Sequence, residues 1–257
     1  MEFQHLITSI EQETLHIVLN RPSQLNALNI ASLDELHRLL NLAISNKDVR
    51  GIIITGQGDK AFAAGADIKE FANYTPEQGH KMASEMQIKV FNLLQNYPKP
   101  IIAAINGYAL GGGLELALAA HIRIGVPEAK LGLPEVSLGL IPGYGGTQRL
   151  TQLIGKGRAL EMILTAKLID ANTALNFGLL NQVVPREKLL PTAQEILRRI
   201  YNQSRNAVAL AIQSINGVYQ HDVNGFDLEI DAFASCFGTA DFQEGVNAFL
   251  EKRKANF

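Results

Sequence analysis

The sequence predicts an α/β protein whose sheet-rich first part is followed by a helical second part. Up to Gly155, short apolar runs typical of buried strands alternate with longer segments in which apolar residues recur at helical spacing. Beyond Gly155 nearly every segment has the helical pattern, and no Gly/Ser-rich or Pro-rich linker intervenes. The alternation favours parallel strands joined by right-handed crossovers, and 257 residues are enough to bury one large core.

The predicted strands lie mainly in the first half of the chain. Two apolar runs on either side of a polar Glu-Gln-Glu, at 3–10 and 14–20, predict a hairpin. The strands expected after it are 51–55, 101–105 and 121–125, and the helices between and after them are 30–44, 76–95 and 114–120.

The second half is predicted to be helical at 156–165, 171–177, 186–203, 205–217, 223–235 and 239–253, with one short strand at 181–184. We therefore divide the chain into a core of residues 1–190, which contains the candidate site, and a helical C-terminal region of residues 191–257.

Composition narrows the possible partners. Hydrophobic residues make up 47% and the formal net charge is −2, so neither disorder nor a nucleic-acid or anionic-membrane partner is expected. No uncharged apolar run reaches the roughly 18 residues of a membrane span.

The single cysteine, Cys236, allows no disulfide within the chain and the N-terminus has no signal-peptide pattern. We expect a cytoplasmic location.

Two features could indicate a dinucleotide site or a metal site, but neither does so convincingly. Gly56 to Ala61 matches G-x-G-x-x-A, but a dinucleotide site needs a helix to begin there, and the following residues look extended. A loop after a strand is the better interpretation. His121 has no partner at metal-ligand spacing, so we expect a structural hydrogen-bonding role and no metal site.

The more informative stretch contains three glycines and two acids. Gly111 to Gly113 interrupt an apolar run, Glu115 follows in the first turn of a predicted helix, and Glu135 lies in an apolar, glycine-rich loop. Carboxylates in apolar surroundings have raised pKa values useful for proton transfer, and bare backbone can stabilise an oxyanion. Taken alone, Glu115 could equally be a helix N-terminal acid and Glu135 an exposed loop acid.

A second small-residue segment, 63–69, contains Ala64, Asp67, Ile68 and Lys69. Small residues let a ligand lie against the backbone. Asp67 is predicted to cap a following helix, and Thr147 a helix that runs through Gln148, Leu150 and Leu153. For the turn from Pro142 to Leu150 we expect a structural role behind Glu135.

Together these residues resemble the crotonase family, also called enoyl-CoA hydratase/isomerase, over essentially the whole chain. The resemblance rests on the order and spacing of several motifs: Arg21-Pro22 with Asn26-Ala27-Leu28, Ala64-Gly-Ala-Asp-Ile68, Asn106 to Gly113, Pro134-Glu135, Pro142 to Leu150, and the tail Glu251 to Phe257.

The resemblance implies a spiral of ββα units with a helical C-terminal region that supports trimerisation. It implies that the N–H groups of Ala66 and Gly112 form an oxyanion hole for an acyl-CoA thioester. The implied reaction adds water to a trans-2-enoyl-CoA, with Glu135 exchanging the α-carbon proton and Glu115 activating the water. No cofactor or metal is implied.

The resemblance also places the CoA moiety along Ala64, Asp67, Ile68 and Lys69, with Lys69 near the phosphates or the adenine. Phe249 and Lys252 are implied as further substrate-binding residues offered by a neighbouring subunit of a homotrimer or homohexamer. Ser23 departs from the pattern, because many relatives have a basic residue near that position.

Three alternatives remain open from the sequence. An isomerase, dehalogenase or other acyl-CoA enzyme would use the same oxyanion hole, although isomerases generally keep one catalytic acid. A non-catalytic relative would bind RNA or a protein, but the sequence has no basic stripe. A two-carboxylate glycosidase would not explain the glycine run.

Overall fold

The computed structural model describes residues 3–220 and 222–257. The first part of the chain consists of β1 (Leu6–Glu11), β2 (Thr14–Leu19), α1 (Ile30–Ser45), β3 (Gly51–Gly56), β4 (Ala61–Ala64), α2 (Pro76–Met86), a π-helical segment (Gln87–Asn92), α3 (Leu93–Gln95), β5 (Ile101–Ile105), β6 (Tyr108–Leu110) and α4 (Gly112–Ala119). The rest consists of β7 (Ile122–Gly125), β8 (Lys130–Gly132), α5 (Gly146–Ile154), α6 (Lys156–Leu164), β9 (Ile169–Asp170), α7 (Ala171–Phe177), β10 (Gln182–Val183), α8 (Leu189–Tyr201), α9 (Arg205–Gly217), α10 (Gly225–Cys236) and α11 (Ala240–Leu250).

The strands form two sheets, in the orders β1-β2-β3-β5-β7-β10 and β4-β6-β8-β9. In each sheet one outermost pair is antiparallel, β1 with β2 and β8 with β9, and the other pairs are parallel. Consecutive units contribute one strand to each sheet and then a helix: β3, β4 and α2, then β5, β6 and α4, then β7, β8 and α5. This is the expected spiral of ββα units.

The core lies between the first sheet and the helices that cover it. The strands β3 and β5 are buried along their whole length, as expected for parallel strands covered on both faces. The helix α1 begins at an Asn29 capping box, and its buried Leu33, Leu36 and Leu40 follow the predicted helical spacing. The helix α8, which spans the boundary at residue 190, packs against β3, β5 and β7.

The structure confirms the bounds of the predicted helix 76–95 but not its regularity, and it adds short strands that the sequence did not show. The predicted helix 76–95 is interrupted by the π-helical segment, because a turn with i→i+5 hydrogen bonds inserts an extra residue that a 3.6-residue pattern does not reveal. The strands β4, β8 and β9 have two to four residues each, too short for a clear alternation. No helix begins at Gly56 to Ala61; the chain there enters β4, which agrees with the loop interpretation.

Candidate active site

Both acids line one cavity of about 540 Å³. Its walls come from the end of β4, the α2 helix, the start of α4, the turn that carries Glu135 and the loop before α5. Ala64, Ala66, Ile68 and Gly112 line the same cavity. The fold therefore brings together residues that are up to 80 positions apart in the sequence, from Ala64 to Tyr144.

Glu115 is held in one orientation by the backbone of a distant turn. Its side chain is on the first turn of α4 and the residue is only 1% exposed. One carboxylate oxygen, Oε1, accepts hydrogen bonds from the N–H groups of Tyr144 and Gly146, both at 2.8 Å. A Cβ atom at position 146 would lie 2.9 Å from this oxygen, so the approach requires glycine.

The pKa of Glu115 is raised to about 7, mainly because burial penalises the charged form. The Glu135 carboxylate raises it further, whereas the two N–H donors and the Arg149 guanidinium lower it. A carboxyl with a pKa near neutrality can both take up and release a proton under physiological conditions.

Glu135 begins a short 3₁₀ turn, Glu135–Leu138, after Pro134. Burial raises the pKa of this carboxyl too. Its Oε2 atom is buried and has no hydrogen-bond partner among the residues that the structure describes. A buried polar atom without a protein partner costs free energy, so its presence in a cavity indicates a group available to a ligand.

Gly111 makes room for Glu135. It has a φ of +49°, which side chains rarely adopt, and a Cβ there would lie 2.9 Å from Glu135 Oε1. The first of the three glycines is thus required by backbone conformation and by the position of the acid.

The backbone N–H groups of Ala66 and Gly112 meet at the cavity. A Cβ on Gly112 would lie 3.4 Å from the Ala66 nitrogen, so the two segments are in contact. Gly112 is the first residue of α4, where an N–H has no acceptor within the helix. The Leu28 N–H donates to the Gly65 carbonyl, and the Leu28 carbonyl accepts from the Asp67 N–H. The N–H of Ala66, which lies between them, takes no part in this pairing.

The turn from Pro142 to Leu150 supports Glu115. From the sequence we had expected a structural role behind Glu135, but the two hydrogen bonds from this turn go to the other acid. Thr147 does not cap α5, which begins one residue earlier after Gly145 without a side-chain cap. Sequence spacing could not show the direction of these N–H groups, because it depends on how the turn packs across α4.

The remaining candidate residues lie around or away from this cavity. The Asp67 side chain makes no capping hydrogen bond to a helix. Its carboxylate instead accepts a hydrogen bond from the Arg21 guanidinium at 2.8 Å, and this bond is the main reason that the pKa of Asp67 is lowered. Neither Asp67 nor Lys69 is among the residues that line the cavity. Phe249 is 82% exposed and lines a different cavity, formed by the C-terminal helices of its own chain. The predicted contributions of Phe249 and Lys252 stay predictions about a neighbouring subunit.

The structure adds residues that the sequence did not single out. Tyr144 is buried, stacks on Phe91 at 4.7 Å between ring centroids, and lines the cavity beside Glu115. Phe71, Tyr74 and Met82 also line the cavity. Phe91 lies in the predicted helix 76–95, but nothing in the sequence indicated its aromatic partner 53 residues away.

His121 is not among the residues that line the cavity. His121 accepts a hydrogen bond from the Ile101 N–H at 3.0 Å and lies 3.1 Å from the Gln95 carbonyl, which confirms its structural role. Among residues 3–220 and 222–257, no three or more His, Cys, Asp or Glu side chains come together to hold a metal ion. None of the helices in that part of the chain has the length and apolar character needed to span a bilayer.

Fold and site define a class of α/β protein in which paired carboxylates and two free backbone N–H groups share one largely apolar cavity. The enoyl-CoA hydratase/isomerase family model matches residues 9–257. A crotonyl-CoA hydratase of Syntrophomonas wolfei is 43% identical, over 100% of this chain and 99% of its own. A short-chain-enoyl-CoA hydratase of Clostridium acetobutylicum is 42% identical, over 99% and 97%.

Solved structures agree with the sequence relatives. A crystal structure of enoyl-CoA hydratase from Bacillus anthracis superposes with a TM-score of 0.92 at 42% identity and covers 99% of each chain. The chain therefore belongs to the enoyl-CoA hydratase/isomerase family, and the resemblance drawn from its motifs is confirmed.

Proposed function

We propose that this protein is an enoyl-CoA hydratase that adds water to a trans-2-enoyl-CoA and releases a 3-hydroxyacyl-CoA. The observation that carries the proposal is the presence of both Glu115 and Glu135 in a cavity bordered by the Ala66 and Gly112 N–H groups. Hydration needs a base for the attacking water and an acid for the α-carbon, whereas an isomerase needs only one carboxyl to move a proton. The second acid therefore favours hydration.

The thioester oxygen accepts hydrogen bonds from the Ala66 and Gly112 N–H groups. Negative charge develops on this oxygen as water adds, so the two donors stabilise the transition state more than the substrate. The loss of one such donor typically costs about 2.7–4 kcal/mol of activation free energy. The positive end of α4 at Gly112 adds to the same stabilisation.

The two carboxyls divide the proton transfers. Glu115 acts as the carboxylate that orients the water and removes its proton, since N–H donors and Arg149 favour its charged form. Glu135 donates a proton to the α-carbon, because its buried setting, and an Oε2 atom without a hydrogen-bond partner among the described residues, favour the neutral form. Burial raises the pKa of both carboxyls, and the Glu135 charge adds to the shift of Glu115, so the pair favours a state that keeps one proton.

The CoA moiety lies along Ala64, Asp67, Ile68 and Lys69, with Lys69 toward the phosphates or the adenine. Ala64 and Ile68 line the cavity, and the Arg21–Asp67 ion pair fixes the loop between them. No metal or organic cofactor takes part in the proposal, since the CoA thioester is itself the substrate.

We further propose a homotrimer or homohexamer assembled through the C-terminal helices. Large apolar side chains on and next to these helices are exposed in the single chain: Ile215, Val218, Tyr219, Phe226, Ile230, Phe233, Phe237, Phe249 and Leu250. Surfaces of this kind are typical of protein–protein contacts. In such an assembly, Phe249 and Lys252 of a neighbouring subunit complete the CoA site. Light scattering after gel filtration gives the mass, and a monomer at micromolar concentration would contradict the proposal.

A cytoplasmic enzyme of fatty-acid degradation, acting in β-oxidation, is the biological setting that we propose. The single cysteine fits a reducing compartment. The 3-hydroxyacyl-CoA product is the substrate class of a following oxidation at the β-carbon.

The decisive experiment follows the loss of enoyl-thioester absorbance with crotonyl-CoA and with longer enoyl-CoAs. Crotonyl-CoA comes first because the two relatives described above have names that refer to short acyl chains. The Glu115→Gln and Glu135→Gln variants should each lose about 10²–10⁴-fold in kcat. If the purified protein hydrates none of these substrates, the proposed function is wrong, and wild-type turnover in either variant removes that acid from its role.

A further inference from the structure

The Pro142 to Leu150 turn contains a buried guanidinium, that of Arg149, which takes no direct part in the proposed proton transfers. Arg149 is only 6% exposed. Its Nε donates to Gln95 Oε1 at 2.7 Å, its Nη1 to the Tyr144 carbonyl at 2.8 Å, and its Nη2 to Asn92 Oδ1 at 2.8 Å. All three directions of the planar group are therefore occupied, which a lysine ammonium could not reproduce.

The contacts of Arg149 lead directly to Glu115. The Tyr144 residue accepts from Arg149 through its carbonyl and donates to Glu115 Oε1 through its N–H. The Tyr144 ring is fixed on its other side by stacking against Phe91. Two hydrogen bonds thus connect the Arg149 guanidinium to the Glu115 carboxylate through Tyr144. The backbone of Tyr144 is held by both bonds and its ring by the stacking contact.

The partners of Arg149 come from a distorted helix. Asn92 is the last residue of the π-helical segment and Gln95 ends α3. Phe91 belongs to the same π-helical segment. Because π turns inside α-helices change which side chains face a neighbour, the distortion explains how one helix supplies a ring for Tyr144 and two acceptors for Arg149.

The acceptors around Arg149 are amide and peptide oxygens, so in the described contacts its positive charge is not neutralised by a carboxylate. Burial raises the pKa of Glu115 to about 7, and the positive charge of Arg149 opposes this shift. Of the other groups facing Glu115, Glu135 raises its pKa, and α4 has no further charged residue. The neighbouring β4 and β6 contribute only the exposed Tyr108 as a titratable group, and Lys89 of the π-helical segment lies next to Glu85.

We propose that Arg149 is a positioning residue for the reaction: through the backbone of Tyr144 it holds the Glu115 carboxylate in place, and its charge, which no carboxylate neutralises in the described contacts, favours the ionised form of Glu115. Asn92 and Gln95 serve this role by holding the guanidinium without cancelling its charge. The proposal rests on the hydratase function proposed above.

The first test changes the charge and keeps the geometry. Asn92→Asp preserves the oxygen that accepts from Arg149 but adds a carboxylate, and Gln95→Glu does the same at Nε. We expect the acid limb of the kcat profile to move to higher pH in both variants, with a severalfold lower rate at pH 6 and nearly wild-type turnover at pH 9. An acid limb that stays in place in both variants would show that charge around Arg149 does not act on Glu115, and would overturn the electrostatic role.

The second test removes the three hydrogen bonds that the Arg149 guanidinium donates. Arg149→Lys should lower kcat about 100-fold, the size of effect that follows misplacement of a catalytic group by about 1 Å. The KM should change little, because Arg149 does not line the cavity. Arg123→Lys is the matched control: Arg123 is also buried and donates to the Leu179 and Ala120 carbonyls, so this variant should lose stability with a wild-type pH profile.

A readout without turnover separates this proposal from the hydratase function. Titration of the Glu115 carboxyl by ¹³C NMR should give a higher pKa in Asn92→Asp than in the wild type, whatever the substrate. An unchanged Glu115 titration overturns the electrostatic role. A loss of kcat in Arg149→Lys no larger than in Arg123→Lys overturns the positioning role. Failure of the wild type on every enoyl-CoA, with the NMR shift present, refutes only the proposed reaction.

Discussion

Replacement of Glu115 by glutamine should stabilise the protein while it removes turnover. Glutamine keeps an oxygen that can accept from the Tyr144 and Gly146 N–H groups but has no charge to bury. The wild-type carboxyl must ionise inside a site where it is 1% exposed. A functional acid kept in this setting lowers the stability of the folded state.

The magnitude follows from the pKa of this carboxyl. Burial raises it from 4.5 to about 7, so between these values the folded protein binds a proton more tightly than the unfolded chain does. The wild type therefore loses stability relative to the variant as pH rises through this window. At about 1.36 kcal/mol per pH unit, the difference reaches roughly 3 kcal/mol above pH 7 and vanishes below pH 4.5.

Urea unfolding of both proteins at pH 5, 6, 7 and 8, at one fixed protein concentration, measures this difference. The control is Glu187→Gln, since Glu187 is exposed and a surface change of this kind stays within about 0.5 kcal/mol. A stability gain that is the same at pH 5 and pH 8, or no larger than that of the control, would refute the account of Glu115 as a buried acid that ionises at a cost.

Two further predictions concern other positions. Gly111→Ala places a Cβ 2.9 Å from Glu135 Oε1 at a φ of +49°, so kcat should fall at least about tenfold in a folded protein, measured with crotonyl-CoA and circular dichroism. The control Gly157→Ala adds a Cβ with no heavy atom within 4 Å, and equal rates in the two variants would contradict the steric argument. Tyr97→Phe removes the donor to the buried Leu40 carbonyl at 2.7 Å and should cost about 1–3 kcal/mol in urea unfolding with kcat unchanged; a loss below 0.5 kcal/mol would show that this carbonyl finds another donor.

Much of the candidate site was accessible from the sequence because its residue types are unusual in their surroundings. Three successive glycines are rare in a buried strand or helix, and acids are rare in apolar segments. These unusual residue types singled out Gly112, Glu115 and Glu135. Their motif spacing identified the family. The partners of each group were less accessible: Asp67 binds Arg21 instead of capping a helix, and the Pro142 to Leu150 turn serves Glu115 instead of Glu135.

The sequence by itself determined the longer strands and helices and the set of chemically capable residues, and the resemblance of its motifs to a family implied the ββα repeat. These depend on apolar periodicity, glycine content and short-range motifs, which are local properties of the chain. The tertiary structure decided which N–H groups reach Glu115, how far burial raises its pKa, and how a π-helical segment supplies acceptors to Arg149. Hydrogen-bond direction and desolvation depend on atoms brought together from distant parts of the chain, so no local pattern contains them.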